Sequence, residues 1–221
     1  MSYAYVTLVT SNDYAQGAVV LAHSLRQSGT SYPLVCLITP STLTPAATDI
    51  LYTSFDRVVP VSPFDSGDHT NLKLLGRPDL GVTWTKFELW RLTEYSKIVF
   101  LDADTLVLRN LDDLFATKGP FAAAPDIGWP DCFNSGVMVC TPDQRTWASL
   151  RSRAEQEGSF DGGDQGLLND HFSNWSTAGP EQRLAFADNF TASAGYSYAP
   201  AFQRFGDRVR VVHFIGHGKP W

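Results

Sequence analysis

Apolar positions along this chain follow two rhythms. Short continuous runs of aliphatic and β-branched residues alternate with stretches in which apolar residues recur every three or four positions. The first run covers residues 4–10 and ends in Ser11-Asn12-Asp13, residue types that suit a helix N-cap. Tyr14, Ala18, Leu21 and Leu25 then recur at helical spacing, and Gly29 follows the last turn. Strand, short turn and helix open a βαβ unit. Further runs predict strands over residues 34–38, 57–61, 97–101, 136–140 and 209–214. Thr44 followed by Pro45 marks a short helix. Thr141, Pro142 and Gln144 mark another, as N-cap, first helical position and capping-box partner. Trp147, Leu150 and Ala154 give that helix its apolar stripe, and Gly158 ends it. The unbroken apolar run 97–101 suits a strand buried on both faces. Strands alternating with helices predict one α/β domain, with a central, mostly parallel sheet flanked by helices. Ligands of such a sheet sit beyond the carboxyl ends of its strands.

Composition narrows the function classes. The 221 residues are 43% apolar and 18% charged, a globular balance with no repeat or low-complexity tract. A net charge of -6 leaves no basic field to displace phosphate counterions, so no nucleic-acid partner is expected. No run is long enough to cross a bilayer and no membrane partner is expected. Cys36, Cys132 and Cys140 fit no zinc or redox spacing, and no secretory leader precedes the first strand. Reduced thiols and a cytoplasmic location are the simplest expectation. Two sequons, at Asn174 and Asn189, would need a secretory route to matter. The 13% of aromatic residues, six of them Trp, fit a well-filled core or apolar walls beside a sugar or base.

Neither a G-x-G-x-x-G after the first strand nor a G-x-x-x-x-G-K-[ST] occurs, which sets aside the usual dinucleotide and P-loop readings. Asp102-Ala103-Asp104 instead follows run 97–101 directly. Two carboxylates leaving a buried strand cost solvation unless they are hydrogen-bonded or hold a cation. Hard oxygen ligands of this kind suit Mn²⁺ or Mg²⁺ shared with a diphosphate; the alternative is a polar turn between strands. Asp161 and Asp164 flank paired glycines at the start of a predicted helix, for ligand binding or for capping. His213 ends the last strand, either as a satisfied core residue or as a third metal ligand. After it, Gly216 and Lys219 form a diphosphate-binding loop or a frayed terminus. Asn134-Ser135-Gly136 precedes a strand and reads as a sugar-hydroxyl site or a turn. Arg77 and Lys86 are phosphate partners or solvated surface residues.

Taken as a set, residues 100–108, 131–136, 158–169, 196–202 and 211–214 carry a resemblance. The chain resembles the glycogenins, retaining family-8 glycosyltransferases of the GT-A, Rossmann-like fold, over nearly its whole length. The resemblance implies a single catalytic domain over residues 1–221, with a nucleotide-sugar part to about residue 105 and an acceptor side over 106–221. It implies self-glucosylation from UDP-glucose, with Tyr196 as the first acceptor and an α-1,4-glucan primer as product. Asp102, Asp104 and His213 would hold Mn²⁺, or Mg²⁺ in its place. Leu8, Thr10, Tyr14, Arg77, Lys86 and Ala103 would hold the nucleotide sugar, together with Asn134, Ser135, Asp161, Asp164, Gln165, Gly216 and Lys219. Asp164 and Lys86 are the residues expected to act on the reacting centre. A homodimer is also implied. Ser11 departs from the Asn of the family pattern, and the segment through which glycogenins bind glycogen synthase is absent from these residues. The competing readings are a family-8 hexosyltransferase with a separate polyol or glycan acceptor, and a catalytically silent sugar-binding module.

Overall fold

A computed structural model describes residues 2–191, 198–216 and 218–221. The chain enters through β1 (Tyr3–Val9), α1 (Asn12–Gln27), β2 (Leu34–Ile38), α2 (Pro45–Ser54) and β3 (Arg57–Pro60). A long connection carries α3 (His69–Leu75) and a 3-10 segment, Trp84–Arg91, before β4 (Lys97–Leu101) and β5 (Thr105–Val107). Next come β6 (Phe121–Pro125), β7 (Phe133–Cys140), α4 (Gln144–Gln156) and α5 (Asp164–His171). The last elements are β8 (Phe190–Thr191), α6 (Ala199–Phe205) and β9 (Val211–His213).

Six strands form one sheet in the order β3-β2-β1-β4-β7-β6. The four on the β3 side run parallel, and β7 and β6 add antiparallel pairings. The central strands carry apolar residues on both faces, so each face needs a cover. Tyr5, Val9, Val99, Leu101, Val137 and Val139 pack under α1 and α2 with Ala18, Leu21, Leu25 and Leu51. Their neighbours Ala4, Val6, Ile98, Phe100, Met138 and Cys140 pack against Trp84, Phe87, Trp90, Leu150, Leu167 and Leu168. Most of the aromatic surplus is therefore core. A smaller sheet, β5-β9-β8, stands beside the first and pairs Thr105 with His213.

Several expected boundaries shift. Residues 134–136 lie inside β7 rather than before it, because the ladder to β6 runs back to Phe133. Asp143, not Thr141, caps α4, since its carboxylate accepts from the Thr146 amide at 2.7 Å. The last strand is confined to Val211–His213. Ser11 makes no side-chain cap; Asn12 instead accepts from the Thr44 amide at 2.9 Å and ties α1 to α2. Thr44 caps α2 as expected, accepting from Ala47. The three cysteines are free, and the sequon residue Asn189 is buried.

Thr7, on β1, carries a buried hydroxyl with no hydrogen-bond partner among the described residues. Leaving such a group unpaired costs about 1–3 kcal/mol. Thr7→Val keeps the shape and removes the orphan, so urea denaturation should show a gain of about 1 kcal/mol.

Candidate active site

The Asp-Ala-Asp turn leaves β4 at the point where the two sheets meet. The Asp102 amide donates to the Gly136 carbonyl at 2.8 Å, and the Phe214 amide donates to the Asp104 carbonyl at 2.9 Å. The turn is thus held by β7 on one side and the end of β9 on the other. This register brings His213 to the two carboxylates: Nε2 lies 3.2 Å from Asp104 Oδ1 and 3.9 Å from Asp102 Oδ2. One ligand atom from each of the three residues lies within 4.8 Å of the others. The turn packs flush against α1, because a side chain at Gly17 would stand 2.5 Å from the Ala103 carbonyl oxygen. It would also stand 2.6 Å from the ring of Trp221, whose indole donates to the Asp13 carbonyl at 3.0 Å. The chain's last described residues are therefore seated on α1 rather than frayed.

Lys86 comes from the Trp84–Arg91 segment, pinned in the core by Trp84, Phe87 and Trp90. Its ammonium lies 2.6 Å from Asp164 Oδ2 and 3.0 Å from Asp102 Oδ1. Burial opposes that charge, but the Asp102 and Asp164 carboxylates outweigh it and hold the pKa above the usual lysine range. Burial raises Asp102 above the ordinary carboxylate value; Lys86 pulls it back and Asp104 adds to the rise. Asp104 is also buried, yet hydrogen bonds from His213 and Lys219 win and hold it below that value. Lys219 donates to Asp104 Oδ2 at 2.5 Å and to the Phe214 carbonyl at 2.6 Å.

Asp161 and Asp164 divide the two readings open to them. Asp161 accepts from Ser159 and from the Gly163 and Gly166 amides at 2.7–2.9 Å, so it does the capping. Asp164 lines the cavity; it accepts from Ser135 Oγ at 2.8 Å and pairs with Lys86, in both cases through Oδ2, which leaves Oδ1 without a partner among the described residues. Gln165 donates to Asp126 at 2.6 Å and accepts from the Ser135 amide. Arg77 grips Asp79 through Nε and an outer nitrogen and donates to the Tyr14 hydroxyl at 3.3 Å.

All of these groups converge on a cavity of about 500 Å³. Its lining includes Leu8, Thr10, Tyr14, Arg77, Lys86, Asp102, Ala103 and Asp104 among the expected site residues. Asn134, Ser135, Asp161, Asp164, Gln165, His213 and Gly216 complete that set. Lys219 reaches the cavity through Asp104. Tyr196 lies outside the described residues. The walls also carry Thr83, Asp126, Ile127 and Thr191, which no motif marked. Asn189 was missed as well: it bonds His213 Nδ1 at 2.9 Å and was visible only as a sequon.

The donor set fits a divalent cation. Two carboxylates and one imidazole nitrogen, with the other ring nitrogen hydrogen-bonded, match the chemistry of Mn²⁺-type sites. At the carboxyl end of β4 and beside a buried Lys–Asp pair, that cluster sits in a fold of the GT-A glycosyltransferase class. Solved structures share the fold: the WbbM bifunctional glycosyltransferase superposes with a TM-score of 0.70 at 18% identity, covering 100% of this chain and 47% of that one. The galactosyltransferase LgtC, solved with donor and acceptor sugar analogues, gives 0.62 at 18% identity and covers 99% and 89%.

The chain belongs to glycosyl transferase family 8, whose model matches residues 5–221. Glycogenin-1 of Caenorhabditis elegans is 55% identical over 221 residues, covering 100% of this chain and 51% of that protein. Glycogenin-1 of Homo sapiens is 52% identical over 218 residues, covering 99% and 62%. The chain thus spans between about half and two thirds of the length of these relatives.

Gly136 admits the His213 ring: a Cβ there would stand 2.2 Å from Cε1 and 2.5 Å from Nδ1. Gly136→Ala should displace the imidazole and weaken Mn²⁺ binding by about tenfold or more in a calorimetric titration, with the far-ultraviolet spectrum unchanged.

Proposed function

We propose that the chain is a self-glucosylating transferase of the glycogenin type. It takes glucose from UDP-glucose with retention of configuration, attaches it to its own Tyr196 and extends an α-1,4-glucan from that point. One observation carries the reading: the Asp102–Asp104–His213 cluster and the Lys86–Asp164 pair open into the same cavity at the carboxyl end of β4. The similarity to glycogenins from two animals supports the choice of donor and acceptor.

Asp102, Asp104 and His213 would hold Mn²⁺, or Mg²⁺ in its place. When bound, the cation would neutralise charge on the departing UDP as a Lewis acid. Lys219, and Lys86 or Arg77, add positive charge on the diphosphate side. Leu8, Thr10 and Tyr14 form the wall assigned to the nucleotide, while Asn134, Ser135 and Gln165 face the sugar. Lys86 holds Asp164 in place through an ion pair on one oxygen, and the other oxygen would face the anomeric carbon as positive charge develops there. Asp161 acts one step back, by fixing the turn that presents Asp164. A departing phosphate oxygen accepts the phenol proton in a front-face transfer, so no separate general base is required. Residues 1–105 would supply the nucleotide side of the donor site and 106–221 its sugar side, His213, Lys219 and the acceptor, in a cytoplasmic homodimer. No helix among the described residues is long and apolar enough to cross a membrane.

Incubation with UDP-glucose and Mn²⁺ should raise the intact mass in hexose steps, and an unchanged mass would count against self-glucosylation. Tyr196→Phe should abolish the first addition while donor binding persists; undiminished labelling would point to another acceptor. Asp164→Ser should retain UDP-glucose binding and cut kcat by a factor on the order of 10² or more. Parental turnover in that variant would remove Asp164 from the reaction.

A further inference from the structure

His213 can serve a cation only if its Nε2 offers a lone pair, and the described hydrogen bonds decide where the other proton sits. The reasoning starts from a donor of fixed identity, the Gly136 backbone amide, which gives its proton to the Asn134 carboxamide at 2.9 Å. The accepting atom must be Oδ1, and the opposite end of the same carboxamide faces the Asp126 carboxylate at 3.4 Å, where only an NH₂ belongs. With Asn134 fixed in this way, Asn189 must point its NH₂ at Asn134 Oδ1, 2.8 Å away. Its own Oδ1 is then turned to His213 Nδ1 at 2.9 Å and can only accept. Nδ1 therefore carries a proton, and Nε2 is the nitrogen that faces Asp102 and Asp104.

Asn134, Asn189 and His213 are all buried, so water cannot readily replace a member of this relay. The fold fixes its geometry from both ends. β8 begins one residue after Asn189 and runs parallel to β9, pairing Thr191 with His213. At Gly136 the missing Cβ lets the imidazole lie against β7.

We infer that Asn189 is a positioning residue: it sets the His213 tautomer for cation binding and couples that ligand to Asn134 on the sugar side of the cavity. The inference rests on the proposed metal-dependent transfer, which it extends to a residue that touches neither cation nor donor. Removing a partner of this kind from a metal-bound histidine typically costs about 10–100-fold in metal affinity.

The test uses Asn189→Leu and Asn189→Asp in the full chain, with Mn²⁺ alone as probe and free Mn²⁺ counted by electron paramagnetic resonance. Asn189→Leu should lose about 10–100-fold in affinity. Asn189→Asp keeps an acceptor for Nδ1 and should keep the parental affinity. Its second oxygen would oppose Asn134 Oδ1, so it should raise KM for UDP-glucose more than it lowers kcat. A folded Asn189→Leu protein with unchanged Mn²⁺ affinity would overturn the inference, as would an Asp variant that loses Mn²⁺ as the Leu variant does. Nitrogen-15 NMR of the parent's histidines gives a readout that does not depend on either variant folding: Nδ1 of His213 should be protonated, and a ring protonated on Nε2 alone would refute the assignment. If the parent binds no Mn²⁺, the metal-dependent reading fails, while the NMR result still decides the Asn189 assignment.

Discussion

Three carboxylates, Asp102, Asp104 and Asp164, meet where β4 leaves the sheet, and the site is organised around giving each of them a cationic partner. Asp104 and Asp164 are buried and Asp102 is partly so, and a buried carboxylate costs several kcal/mol if it is unpaired. Lys86 answers Asp102 and Asp164 from one side, and Lys219 answers Asp104 from the other. Asp102, Asp104 and His213 also present one ligand atom each within reach of a single ion, and a divalent cation can accept several oxygen and nitrogen ligands at once. The same local field suits a substrate that arrives as an anion together with its counter-cation.

The fold supplies this arrangement from distant parts of the chain. β4 brings two carboxylates, a 3-10 segment anchored by tryptophans brings Lys86, and the start of α5 brings Asp164. The second sheet brings His213, and the residues after it bring Lys219. Each contributor is tied to the hydrophobic core or to a strand ladder within a few residues of the polar atom it offers. Such anchoring keeps charged groups at fixed separations in surroundings of low polarity, where a small displacement changes their interaction energy most.

Much of this was legible in the order of residues. Strands with an unbroken apolar run, such as Lys97–Leu101, could be read directly, because both faces of the sheet are covered and no alternation is needed. The carboxylate pair was legible because it sits at the end of such a run. The relay through Asn189 was not, because it links positions 55 and 24 residues apart by side-chain geometry alone. The anchoring of residues 84–91 was hidden too: a 3-10 segment has no sustained periodicity, and pattern alone left Lys86 open between a phosphate partner and a solvated lysine. The extension of β7 back to Phe133 was obscured by Asn134 and Ser135, polar residues that read as a turn but are buried facing the site.

Asp161 and Asp164 illustrate why motif and function do not coincide. They are the same residue type, three positions apart, and a pattern search marks them equally. Asp161 is met by two backbone amides and a serine hydroxyl, so its oxygens are committed to shaping the turn. Asp164 receives a charged partner and a hydroxyl on one oxygen and keeps the other toward the cavity. A carboxylate whose hydrogen-bonding capacity is spent on the backbone stabilises a loop; one that retains an unshared oxygen beside an ammonium can respond to charge that appears next to it. The distinction depends on which donors surround each oxygen, and the glycines between the two residues make it possible. They let the backbone turn the Gly163 amide onto Asp161 and leave Asp164, the first residue of α5, on the cavity wall.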